Sequence, residues 1–177
     1  MNRRQALKIL GATGLVGVGG GAFWLNRTRT YPELAVDLTL ERLGNLNPEA
    51  LSSSGSWSVA RVFNHLAQSI EFSISGYPEM KSAAFQNTVG SLAFSVFQAR
   101  GNMNHGLDEA IPGEVVDPMA TSSKEALQRL IEAIQTFENF EGDLKPHFAY
   151  GELSKEQYSL AHVMHINNHW QEFSVSV

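Results

Sequence analysis

From Tyr31 onward, apolar residues recur every three or four positions, and no stretch alternates apolar and polar as a half-buried strand would. Leu34, Leu38, Leu43 and Leu46 mark a first helical segment over about Pro32 to Leu46. A polar linker, Ser52-Ser53-Ser54-Gly55, separates it from a second segment at about Trp57 to Ser75. There Val59, Val62, Phe63, Leu66 and Ile70 form one stripe, and Gly76 with Pro78 stops the helix. The third segment, about Ser82 to Arg100, predicts an inward face of Phe85, Val89, Leu92 and Val96, closed by Gly101. An irregular connection follows from Asn102 to Pro118, with turn residues at Gly106, Pro112-Gly113 and Pro118.

Two further helices announce their own beginnings. Ser122 with Glu125, and Ser154 with Gln157, both have the spacing in which a hydroxyl caps a backbone N–H and the later side chain reaches back. The first opens a segment carrying Leu127, Leu130, Ile131, Ile134 and Phe137, and the second runs to Phe173. Helices joined by loops, without strands, predict an all-α bundle of four long core helices and one shorter or peripheral one.

Charge divides the chain in two. Five of the 13 basic residues (Arg3, Arg4, Lys8, Arg27, Arg29) precede Tyr31, and all 18 acidic residues follow it. An acidic body with no basic, aromatic-interleaved run is a poor phosphate-backbone binder, so no nucleic-acid partner is expected. The basic start precedes an uncharged stretch from Ile9 to Leu25, the order of an export signal. Arg3-Arg4 resembles a twin-arginine signal, although Ala6 stands where a bulky apolar residue is usual. Six glycines and a length short of the ~20 residues of a spanning helix weaken the plain-anchor alternative. Residues 1–30 are therefore read as an export signal or membrane anchor, and 31–177 as the helical body. This predicts a periplasmic protein, free or anchored to the outer face of the cytoplasmic membrane, that meets the twin-arginine export machinery. Cysteine is absent, which removes disulfides, thiolate metal sites and a cysteine nucleophile.

The chemistry lies in histidine. Three of the six fall in His162-Val-Met-His165-Ile-Asn-Asn-His169, within an arc of about 60° on the face that Tyr158 also occupies. Imidazoles gathered on an inward stripe need partners, because an unmet buried polar group costs ~1–3 kcal/mol. His165 and His169 can reach one divalent ion, and His65, beside the Val62 and Leu66 stripe, supplies a third ligand from a facing helix. His162 is a further ligand, a supporting partner or a core residue; Gln68, one turn from His65, could orient it; His147 could line the pocket. Glu71 and Glu172 are candidate helpers of the metal chemistry that read first as solvated charges, and Trp57, Trp170 and Tyr150 read as core or pocket aromatics.

These residues carry a resemblance. Trp57-Ser58, Asn64-His65-Leu66-Ala67-Gln68-Ser69-Ile70-Glu71, Gly76-Tyr77-Pro78, Pro112-Gly113, Pro146-His147 to Gly151-x-Leu153, and His165-x-x-x-His169-Trp-Gln171-Glu-Phe173 resemble domain of unknown function 1569, a bacterial family in the DinB/YfiT-like superfamily. The resemblance implies a DinB-like four-helix bundle of up-down-down-up type, with His65, His165 and His169 on a divalent metal such as zinc, nickel, iron or manganese. The superfamily includes metal-dependent transferases that use low-molecular-weight thiols. Two departures stand out: His147-Phe148-Ala149-Tyr150-Gly151 replaces an H-P-x-F-G turn, and Asn168 stands where many members have a histidine.

Two functions follow. One is an exported metal-dependent hydrolase or transferase with an open three-histidine site, acting on a small-molecule substrate. The other is a non-catalytic helical bundle that binds a metal or ligand, or whose histidines only hydrogen-bond. A homodimer is compatible with either.

Overall fold

A computed structural model describes residues 30–114 and 122–175. The expected export segment lies outside the described residues, as does the end of the Asn102–Pro118 connection. The body is mostly helical with one small two-stranded sheet. A short turn, Pro32–Leu34, precedes α1 (Val36–Gly44). Then come β1 (Leu51–Ser53), α2 (Val59–Ser75), α3, α4 (Ser123–Asn139), α5 (Lys155–Trp170) and β2 (Phe173–Val175). The run called α3 joins Ala83–Phe85, a wider π-type stretch Gln86–Gly90, and Ser91–Arg100. Among the described residues no helix is long and apolar enough to cross a membrane.

Local chemistry sets the helix ends. Ser58 Oγ accepts from the Arg61 N–H at the start of α2. Both expected capping boxes form, Ser122–Glu125 on α4 and Ser154–Gln157 on α5. Lys155 Nζ donates to the Glu138 and Phe140 carbonyls, so α5 begins by satisfying orphan acceptors at the end of α4. Gly101 ends α3 in the left-handed region at φ 65°.

The main core joins α1, α2, α4 and α5 through Leu43, Val62, Phe63, Leu66, Ile70, Leu130, Phe137 and Tyr158. A second cluster, Phe94, Met103, Ala161 and Met164, seats α3 and the following loop on the opposite side of α5. Helix α5 is thus buried on two sides.

Two expectations are corrected. Val89 and Leu92 of the expected α3 stripe face outward, 58% and 57% exposed, and Phe85 is partly exposed, while Gly90, Phe94 and Ala99 are buried. The wider turn at Gln86–Gly90 shifts the helical phase, so a stripe extrapolated at 3.6 residues per turn faces the wrong way. The serine-rich linker is in part a strand: Leu51, Ser52 and Ser53 pair antiparallel with Val175, Ser174 and Phe173. Its register comes from a partner over a hundred residues away, which no local pattern encodes.

Candidate metal centre

His65 projects from the middle of α2, and His165 and His169 from successive turns at the end of α5. One ring nitrogen from each lies within 4.8 Å of the others. His65 Nε2 and His165 Nε2 are 3.2 Å apart. Two imidazole nitrogens each ~2.1 Å from one ion, at an angle of about 90–110°, stand roughly 3.0–3.4 Å apart. That pair already has ligand spacing, and closing the set on one ion requires a small movement of the third ring. His65 is 2% exposed and His169 is fully buried.

Each of two rings is held from behind by a carboxylate. His65 Nδ1 lies 3.1 Å from Glu114 Oε2, and His169 Nδ1 lies 2.8 Å from Glu172 Oε1. A neutral imidazole has one ring proton and a carboxylate can only accept, so these contacts place the proton on Nδ1 and leave the Nε2 lone pair for the centre. His169 Nε2 is buried with no hydrogen-bond partner among the described residues, the orphaned atom that a cation would satisfy.

Both carboxylates are themselves anchored. Glu114 pairs with Arg61 and accepts the Ile111 N–H at 2.9 Å. Burial raises its carboxyl, but the His65 bond, the Ile111 N–H and the Arg61 charge win, and the net shift is downward. Glu172 is clamped by the strand pair: its carbonyl accepts from the Ser54 N–H at 2.8 Å, and a Cβ on Gly55 would lie 2.1 Å from its Oε2. A side chain at Gly55 would displace the carboxylate from its place behind His169. Burial pushes the Glu172 carboxyl upward. Trp57 roofs the site, edge-on to His65 and stacked over His169.

Burial, reinforced by the neighbouring histidines, drives His165 well below its ordinary value and His169 to about 3. A divalent metal needs the neutral ring. The donor set, the 3.2 Å pair, the carboxylate backing and the orphaned nitrogen all fit a divalent ion, and the cluster could hold one.

A cavity of about 590 Å³ opens beside His65 and His165. Its walls bring in two residues flagged by sequence, His147 and His162, which do not join the triad. His162 lies against Phe137 and Tyr158. Gln68 is buried on α2, while the His65 Nδ1 contact is with Glu114. Two contributors lie outside the expected site, His105 and Glu114, and a third, Glu172, is placed differently from its first reading as a solvated charge. His105, from the loop after α3, sits with ring centroids 4.8 Å from His165 and 5.4 Å from His169, and Asn168 Nδ2 holds its carbonyl at 3.3 Å. Glu114 has no periodic signal around it. Glu172, expected in solvent, is 3% exposed because β2 folds it back under the site. Glu71 instead pairs with Arg129 at the surface, 2.7 Å away.

The class defined here is a helical protein whose second and last helices present a buried, carboxylate-backed histidine cluster to a cavity. Residues 26–176 match the family described as protein of unknown function, DUF1569, and the chain belongs to that family. No curated protein and no solved structure matches it.

Proposed function

We propose that this protein is a metal-dependent enzyme of the hydrolase or transferase type, with His65, His165 and His169 holding one divalent ion on a DinB-like four-helix bundle. The observation that carries the reading is the pairing of lone-pair geometry with carboxylate backing: Nε2 atoms 3.2 Å apart, and two of the three rings fixed through Nδ1. Three protein ligands leave coordination positions for water or substrate, the pattern of a reactive rather than a closed structural site. Bound there, the ion would supply Lewis-acid activation of a water, a thiol or a carbonyl oxygen. Glu114 and Glu172 keep the rings oriented, Trp57 excludes solvent from one side, and the cavity admits a small molecule.

The proposed setting is the periplasm, reached by twin-arginine export with residues 1–30 as signal or anchor, on the strength of Arg3-Arg4 and the uncharged run after Lys8. Low-molecular-weight thiols belong to the reducing cytosol, so hydrolysis suits that setting better than thiol transfer.

One contact favours a second reading. Without an ion, the 3.2 Å approach of His65 and His165 is an ordinary hydrogen bond between neutral rings, as in a non-catalytic bundle. Metal analysis of protein purified without a histidine tag separates the two. Near-stoichiometric zinc, nickel, manganese or iron in the wild type, lost in His165→Ala, is the expected result. No metal in either protein, and no uptake of added zinc, would overturn the enzyme reading.

A further inference from the structure

The cavity is also lined by a second histidine pair with different chemistry. His147 and Gly151 close a five-residue loop by reciprocal backbone bonds of 2.8 and 3.1 Å, and Gly151 adopts φ 76°. Inside the loop, the backbone N–H groups of Ala149 and Tyr150 both donate to His147 Nδ1, at 3.1 and 3.2 Å. That lone pair is taken, so the single ring proton of neutral His147 is on Nε2. The tautomer is the reverse of that assigned to His65 and His169. A ring with Nε2–H and an occupied Nδ1 cannot ligate a metal; it can only donate.

The donor is rigidly presented. Tyr150 stacks on the His147 ring with centroids 4.2 Å apart and planes at 7°. Gly90 of α3 lies so close to the loop that an added Cβ would meet the Ala149 carbonyl oxygen at 1.8 Å. The Nε2 atom makes no hydrogen bond to any described residue, and His147 lines the cavity. His162, which also lines the cavity, has a buried Nε2 with no hydrogen-bond partner among the described residues. Burial holds both rings neutral, each near 3. Neither ring therefore offers an anion a charge, and the charged residues lining the cavity, Lys81 and Glu109, are of opposite sign and exposed. Phe85, Phe148 and Tyr150 supply aromatic wall around the pair.

We propose that His147 and His162 form a recognition subsite for an uncharged carbonyl oxygen, so that the cavity takes a small aromatic or otherwise apolar molecule bearing an amide or ketone group, held by His147 Nε2–H. The inference rests on the proposed function in naming its substrate class, but it concerns residues outside the triad and is tested without metal. Acetanilide and isopropylbenzene, similar in size and differing in the amide, are titrated into the metal-free full-length chain while imidazole ¹⁵N resonances are followed. The expected result is a His147 signal of the Nε2–H tautomer that moves with acetanilide, and acetanilide binding about five- to tenfold tighter, the worth of one hydrogen bond in a partly dry site. In His147→Asn, the Asn oxygen replaces Nδ1 as acceptor for the loop while the distal N–H is gone. This variant is expected to keep its thermal midpoint and lose the preference for the amide. His162→Phe is expected to weaken acetanilide more than isopropylbenzene.

The subsite is refuted by equal affinities for the two probes, by no binding of either, by an Nδ1–H tautomer at His147, or by a preference that survives His147→Asn. Zinc uptake is measured in parallel on the same samples. A chain that prefers the amide but takes no zinc sinks the metal centre and leaves the subsite; the converse sinks the subsite alone.

Discussion

Acid should unfold this protein by charging histidines that the fold keeps neutral. His147 and His162 fall to about 3 in the folded state, chiefly through burial. An unfolded histidine titrates near 6.5. Above that value both states hold the neutral ring, and neither residue makes stability depend on pH. Between about 6.5 and 3 the unfolded chain binds protons that the folded chain refuses, so stability falls as pH falls. One such histidine costs RT ln(1 + 10^(6.5−pH)), about 1.4 kcal/mol at pH 5.5, and the two together about 3 kcal/mol. By pH 4.5 the pair costs roughly 5 kcal/mol, a large share of the ~5–15 kcal/mol that holds an ordinary domain together. Urea unfolding of the chelator-treated protein, followed by circular dichroism at about pH 7.5, 6.5, 5.5 and 4.5, measures the loss directly. His162→Phe keeps an aromatic ring against Phe137 and Tyr158 and should reduce the slope by about 1.4 kcal/mol per pH unit below 6. A stability flat from pH 7.5 to 5, or a variant with the wild-type slope, would refute the reasoning.

Two perturbations test the supports of the centre. Glu172→Gln keeps an acceptor for His169 Nδ1 but removes the charge behind the ring, so zinc affinity should fall about tenfold to a hundredfold by competitive titration; unchanged affinity would show the carboxylate to be idle. Gly90→Ala drives a methyl into the Ala149 carbonyl, which is backbone and cannot swing aside, so the thermal midpoint should drop and the imidazole signal of His147 should shift as its loop is displaced.

How much of this was legible depended on the range of the interaction concerned. The starts of α4 and α5 were readable because a capping box lies within four residues. His65, His165 and His169 were readable because burial follows the apolar stripe beside His65 and because i, i+4 spacing alone puts His165 and His169 on adjacent turns. Glu114 and Glu172 were opaque for the opposite reason. A carboxylate is buried only when partners arrive from elsewhere, and these come from His65, 49 residues from Glu114, and Ser53, 119 residues from Glu172. The outward stripe of α3 was misread because one widened turn at Gln86–Gly90 breaks the phase on which any periodic reading depends. The tautomer of His147 was equally hidden: it is decided by two backbone N–H groups that converge only once Gly151 closes the loop.

The strand pair joining Leu51–Ser53 to Phe173–Val175 also imposes an order of events. The first histidine sits on a helix made early in synthesis, whereas its two companions and the glutamate behind them emerge only after α4. The short ribbon that clamps this glutamate pairs two segments more than a hundred residues apart in sequence. The three-histidine set backed by Glu172 is therefore complete only once the last residues of the body have been made and folded.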